Sequence, residues 1–266
     1  MPYFNSKDAK IYYEVHGKGQ PILMIAGMAS DSKSWQFVLD KMTKHYRLII
    51  FDNRGCGRTE AGQGGYDLKD MANDAIDLLD YLKYEKVHVI GHSMGGMIAQ
   101  ELALMQPERI GRLVLASSSP KLSKKADEIL QDLYKKWEDG FDMVEWFRIM
   151  FRWLFSGKAL ENKKFMDAAI IFALSYPYPQ TLEGFKGQVD AITSFDATER
   201  IHLIKHKTLI LSGKQDILIP PEESRQLQDL GGKTTFRLID NAAHSIHAEY
   251  PGEFVDAVID FLPENS

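Results

Sequence analysis

Val87-His88-Val89-Ile90-Gly91-His92-Ser93-Met94-Gly95-Gly96 is the stretch on which the reading of this chain turns. Four strand-forming residues lead into Gly-x-Ser-x-Gly, and residues 97–104 read as a helix. A serine on such a strand-to-helix turn is held in a strained conformation, with its hydroxyl pushed out above the sheet. Glycine is needed at 91 and 95 because a side chain there would collide where strand end and helix start come close. The helix begins directly after Ser93, so its free N–H groups and positive dipole end point at the serine. An oxyanion can be stabilised in such a place. By itself the five-residue pattern arises by chance in about one chain in ten of this size. The apolar strand before it and the helix after it supply the context the motif requires, and they single out Ser93 as a nucleophile.

Outward from this unit, strand and helix alternate. Residues 10–15 read as an edge strand, and 21–26, apolar throughout, as a strand buried on both faces. Residues 47–51 and 113–117 are further buried runs, with helices expected over 34–44 and 67–83. Sheet language returns at 208–212 and 235–239, with helices over 221–230 and 252–262. This rhythm predicts an α/β fold, a mostly parallel central sheet with helices on both faces. Ligands in such sheets sit beyond the carboxyl ends of the strands, where Ser93 and the Gly27-Met28 turn both fall.

The alternation breaks from 120 to 198, where four helices are expected over 124–137, 141–155, 162–175 and 181–193. The chain is therefore read as a core of residues 1–119 and 199–266 with an inserted helical cap, 120–198. The cap holds the most aromatic part of the sequence. One helix apolar on so much of its circumference needs partners on more than one side. Trp146, Met150, Phe151 and Trp153 are the candidates to line a substrate pocket, while other apolar residues serve the cap's own core. Arg148 and Arg152, at i and i+4, belong in solvent unless they face inward to hold a carboxylate.

Asp216 and His244 each stand just past the end of one of the last two sheet strands, on loops expected to emerge beside Ser93. Serine is a poor nucleophile unless an imidazole takes its proton, and a carboxylate fixes the imidazole's tautomer and stabilises its cation. The chain order Ser, Asp, His is that of hydrolases built on this strand–turn–helix nucleophile. On residues 91–96, 52–57, 213–216 and His244, the chain resembles the α/β-hydrolase fold family over essentially its whole length. It is similar to the capped subgroup of esterases, enol-lactonases, carbon–carbon bond hydrolases and cofactor-free haloperoxidases. The resemblance implies an oxyanion hole formed by the backbone N–H groups of Met94 and Met28. Many relatives carry His-Gly in the turn holding the second donor, whereas this chain has Ala26-Gly27.

Other residues read as structural. Cys56 lies between two glycines as a small packed residue, and Asp52 belongs to a turn. His92 points sideways under the sheet edge, His247 packs, and His244, His247 and Glu249 match no standard zinc spacing. With 266 residues, 44% hydrophobic and 26% charged, the chain can bury a full core. A net charge of -5 gives no footprint for nucleic acid. No apolar run spans a membrane, no signal segment opens the sequence, and one cysteine fits a reducing compartment, so a cytoplasmic location is expected. The expected function is hydrolysis of a small, largely apolar carboxylic ester or lactone through an acyl-serine, without metal or cofactor. Carbon–carbon bond hydrolysis, enol-lactonase activity and slow-turnover small-molecule binding are the alternatives. Serine at the nucleophile position disfavours the dehalogenase branch, which uses aspartate.

Overall fold

In the computed structural model, which describes residues 2–61 and 65–263, the apolar runs become the middle of one sheet. Among the described residues its strands are β1 (Tyr3–Ser6), β2 (Ala9–His16), β3 (Gln20–Ile25), β4 (Tyr46–Phe51), β5 (Glu60–Ala61), β6 (Val87–His92), β7 (Ile110–Ala116), β8 (Lys207–Gly213) and β9 (Thr234–Ile239). They lie in the order β1-β2-β4-β3-β6-β7-β8-β9, with β5 paired to β2. From β4 through β9 every neighbouring pair is parallel, whereas β2 runs antiparallel to β1, β4 and β5. The stretch 10–15, expected at the edge, is thus covered by β1, which the sequence conceals. The turn joining the two strands has no glycine, and Lys7 itself takes the left-handed conformation, φ 44°.

The helices are α1 (Gln36–Met42), α2 (Leu68–Tyr81), α3 (Met94–Met105), α4 (Lys124–Glu138), α5 (Met143–Leu154), α6 (Gly157–Glu161), α7 (Lys163–Leu174), α8 (Leu182–Thr193), α9 (Pro221–Arg225), α10 (Ile246–Glu249) and α11 (Pro251–Phe261). Successive side chains of a strand point to opposite faces, so β3 feeds two cores at once. Leu23 and Ile25 pack with Leu78 of α2 and Leu102 of α3. Ile22 and Met24 pack with Val38 of α1 and Phe254 of α11 on the other face. Burial on both faces is why these runs are apolar without alternation. Polar signals set the helix starts: Asp67 accepts from the Lys69 and Asp70 amides at 2.8 and 3.0 Å, and Asp70 returns a bond to the Asp67 amide at 3.1 Å.

Between β7 and β8 the chain is helical, from α4 to α8. Entry and exit of this segment meet at one neck. Ala197 N–H donates to the Pro120 carbonyl at 2.9 Å, and Lys121 pairs with Asp196 at 2.6 Å. Trp146 is buried against Trp137, Phe147 and Phe185, and its indole N–H donates to the Leu133 carbonyl at 2.8 Å. The helix expected over 221–230 is α9 followed by a 3₁₀ turn, Gln226–Asp229. The one expected over 34–44 likewise begins as a 3₁₀ turn, Ser32–Trp35. Among the described residues no helix is long and apolar enough to cross a membrane.

Candidate active site

Ser93 joins β6 to α3 with φ 53° and ψ -119°, a conformation L-residues rarely adopt. Such a residue carries about 1–3 kcal/mol of strain that its surroundings must offset. Here the surroundings clamp its backbone. Ser93 N–H donates to the Ala116 carbonyl at 2.9 Å, and its own carbonyl accepts from Gly96 N–H and the Ser118 hydroxyl, each at 2.9 Å. The two glycines are demanded by close approach: a Cβ at Gly91 would fall 2.3 Å from the Gly95 carbonyl oxygen, and one at Gly95 would fall 2.1 Å from that of Ile25.

Asp216 follows the end of β8 and His244 the end of β9, and the parallel pairing of these strands brings the two loops together. His244 Nδ1–H donates to Asp216 Oδ2 at 2.8 Å, and both side chains are buried. Asp216 Oδ1 accepts from the Leu218 and Ile219 amides at 3.0 and 2.9 Å, so the carboxylate cannot rotate away. With Nδ1 committed, Nε2 is the ring nitrogen left to act on another group. The His244 backbone is held as well. His92 Nε2–H donates to the His244 carbonyl at 2.9 Å, and burial, with His247 and His244 nearby, keeps the His92 ring neutral by holding its pKa well below the usual value. His247 packs on Trp35 at 4.8 Å between ring centroids, and burial pushes it down to about 3.

Beside the serine lies the turn after β3. A Cβ on Gly27 would come within 3.2 Å of Ser93 Cβ, so the turn and the nucleophile are in contact. Asn53 Nδ2 donates to the Ala26 carbonyl at 3.0 Å. Ala29, at φ 53°, donates its N–H to Gln188 Oε1 at 2.9 Å, which removes that amide from candidacy as a free donor. Met94 opens α3, where an N–H has no acceptor within the helix. Met28 and Met94 both border the cavity that reaches Ser93 and His244.

That cavity holds about 820 Å³. Trp146, Met150, Phe151 and Trp153 all contribute to its wall, and α4 and α7 add Ile129, Leu133, Phe165 and Phe172. Arg148 and Arg152 lie outside the lining. Both are exposed, and Arg148 pairs with Glu145 at 3.5 Å. Asp31 is a buried carboxylate in the wall, raised above its usual range by burial, but its oxygens accept from the Lys33 amide and the Tyr176 hydroxyl.

Asp52 is occupied structurally, accepting from the Ser32 amide at 2.9 Å and from the Arg58 amide and Nε at 2.8 Å each. Cys56 is buried, which pushes its thiol well up, away from thiolate chemistry. Among the described residues no group of three His, Cys, Asp or Glu side chains is placed to hold a metal ion. Glu249 serves instead as a clamp: it accepts from Ser156 N–H at 2.9 Å, Ser156 Oγ–H at 2.7 Å and Ala243 N–H at 3.0 Å. Sequence reasoning passes over that clamp and over Gln188. The one available signal for Gln188 is a polar residue set among the buried apolar positions of α8.

A parallel-centred sheet whose central strand turns sharply into a helix at a serine, with the aspartate–histidine pair on the last two strand ends, is the architecture of the α/β hydrolases. A family model described as alpha/beta hydrolase fold matches residues 20–251, and the chain belongs to that family. Among its relatives is an Azorhizobium caulinodans protein named as a carbamate hydrolase, RutD, 29% identical over 99% of both chains. The pimeloyl-(acyl-carrier protein) methyl ester esterase of Pectobacterium carotovorum is 25% identical over 95% of this chain and 98% of its own. Among solved structures, a hydrolase from Pseudomonas aeruginosa superposes with a TM-score of 0.87 at 25% identity, covering 98% of this chain and 97% of its own.

Proposed function

We propose that this protein is a serine hydrolase that cleaves a small, largely apolar carboxylic ester or lactone. One observation carries the reading: His244, closed on the buried Asp216 at 2.8 Å, opens with Ser93 onto one largely apolar cavity. Names of relatives that act on ester and carbamate bonds support a hydrolase. In the proposed reaction His244 Nε2 takes the Ser93 proton as Oγ bonds to the carbonyl carbon. The carbonyl π-electrons move to oxygen, which faces the Met28 and Met94 N–H groups. The tetrahedral intermediate collapses, the ester C–O bond breaks, and the alcohol leaves with the proton from imidazolium. Water, deprotonated by the same imidazole, then attacks the acyl-serine and releases the acid with Ser93 restored. Asp216 keeps the proton on Nδ1 throughout and stabilises the cation. The inserted segment 120–198 acts as a cap that walls the acyl site.

The test is a panel of neutral and anionic p-nitrophenyl esters, lactones and carbamates, with mass spectrometry of the quenched enzyme. An acyl adduct on the Ser93 peptide is expected. Ser93→Ala abolishes turnover while shifting stability by no more than about 1–2 kcal/mol. Each added methylene gains about 0.8 kcal/mol, roughly fourfold in kcat/KM, from acetate to about butyrate or hexanoate, and activity falls once the chain outgrows the cavity. Anionic acyl groups do poorly because Arg148 and Arg152 stand outside the wall, the lining Lys33 is exposed, and a charge left unpaired among the aromatic residues is costly to desolvate. Hydrolysis by clean Ser93→Ala protein sinks the nucleophile, and a response flat in chain length sinks the apolar acyl site. Release that stops after one equivalent turns the reading to a small-molecule receptor.

A further inference from the structure

Gln188 lies on α8, within the inserted segment, and its side chain is fully buried. Oε1 accepts from the Ala29 N–H at 2.9 Å, and Nε2 donates to the Arg54 carbonyl at 2.7 Å. One backbone partner is a donor and the other an acceptor, so the amide has a single orientation. Neither a carboxylate nor a thioether of the same length meets both needs. Gln180 Nε2 supports the same Oε1 at 2.9 Å and also holds the Gly55 carbonyl at 2.9 Å. The turn these bonds grip is one that would not hold its shape unaided, because Ala29 occupies the left-handed region at φ 53°. Met28 sits between Ala29 and Gly27, and the opposite side of the turn is fixed by Asn53 at the Ala26 carbonyl, 3.0 Å away.

We propose that Gln188 is a positioning residue for the oxyanion hole. It fixes the Met28–Ala29 peptide, and with it the Met28 N–H, beside Ser93 where the carbonyl oxygen of the substrate gains charge. The inference rests on the reading of Ser93 and Met28 given above. Its consequence is that the inserted segment, not the core alone, sets the geometry of one oxyanion donor. Seating of α8 on the turn and competence for chemistry become one event. An oxyanion contact strengthens in the transition state, so loss of Gln188 falls on kcat and leaves KM nearly unchanged.

The test compares wild type, Gln188→Met and Gln180→Ala, using p-nitrophenyl butyrate and two ligands. An alkyl trifluoromethyl ketone adds to the Ser93 hydroxyl and forms a hemiketal oxyanion, whereas an alkyl ether of matched length only fills the cavity. Gln188→Met is expected to lower kcat about 30- to 100-fold, short of or near the loss of a whole donor, with KM within about twofold. Affinity for the ketone falls by a comparable factor, and affinity for the ether is unchanged. Gln180→Ala, which removes the support of the Gln188 amide together with the bond to the Gly55 carbonyl but leaves both Gln188 bonds to the backbone, gives the same pattern at a few-fold size and carries the test if Gln188→Met does not fold. An unchanged kcat, or equal losses for ketone and ether, overturns the proposal. Hydrolysis surviving in Ser93→Ala, run alongside, overturns the underlying reading instead.

Discussion

Asp216 and Asp52 are both fully buried carboxylates past strand ends, and their partners separate their roles. Asp216 Oδ1 is pinned by two backbone N–H groups, at 3.0 and 2.9 Å, so an asparagine there must turn its oxygen to them. Its NH₂ group then faces His244 Nδ1, which becomes an acceptor, and the ring proton moves to Nε2. In that tautomer the imidazole cannot take the serine proton. Asp216→Asn is therefore expected to lower kcat by about 10⁴-fold, the size seen for this exchange in serine proteases, with stability little changed. Asp52→Asn instead breaks the pairing with Arg58 and lowers stability by about 2–3 kcal/mol, while kcat of the folded fraction stays within about threefold. Steady-state kinetics and urea denaturation on both variants decide it, and exchanged phenotypes refute the assignment. Ser93, Asp216 and His244 are legible in the sequence because each follows an apolar run ended by turn residues. Gln188 is not, since its partners are backbone atoms 159 and 134 positions away, and no local pattern encodes a contact of that separation.

Helix α5 is legible as an element from its aromatic composition, but it starts at Met143 rather than at 141 because Asp142 caps it through the Glu145 amide at 3.0 Å. Its C-terminal end is where the inserted segment grips the His244 loop. Leu154 carbonyl accepts from Ser245 N–H at 3.0 Å, and Glu249 bridges Ser156 to Ala243, the residue before His244. A glutamine at 249 keeps one acceptor oxygen but turns an NH₂ group toward either the Ser156 or the Ala243 amide, leaving a donor without its acceptor. Glu249→Gln is expected to lose about 1–3 kcal/mol in urea denaturation. A value within about 0.5 kcal/mol of wild type contradicts the clamp. In the sequence this glutamate stands near two histidines at a spacing that matches no standard zinc site, and nothing local marks it as a clamp. Its actual use depends on how α5, α6 and the loop after β9 meet in space. The strand β1 was hidden for a related reason: its turn relies on a lysine in the left-handed region, which carries none of the usual glycine or asparagine signal.

At the scale of the molecule, the alternation of buried runs with helices makes the parallel sheet readable, since strands covered on both faces carry few polar positions to confuse the pattern. Besides His244, three histidines are buried: His88 under the sheet's amino edge, and His92 and His247 behind the candidate site. Burial, with Arg112 and Lys86 nearby, pushes His88 down to about 4. His247 lies at about 3 for the same first cause, and His92 is held well below the usual value. Folding lowers these pKa values, so the stability they permit is fully present above the unfolded value of about 6.5 and is lost as pH falls through it. Below that point the unfolded chain binds three protons that the folded chain refuses. A proton wholly refused by the folded chain contributes a slope of about 1.4 kcal/mol per pH unit, so the three rings act in the same direction. Burial raises Asp31, Asp74 and Glu223, which act in the opposite sense and offset part of the loss only as pH approaches the carboxylate range. Urea midpoints are therefore expected to stay level from pH 8 to 7 and to fall as pH drops below about 6.5. In His247→Phe the ring keeps its contacts with Trp35 and Phe254, and the slope should become shallower. A stability profile flat between pH 7 and 5 would show that these rings are protonated in the folded protein, and with it that water reaches His92 beside the His244 carbonyl.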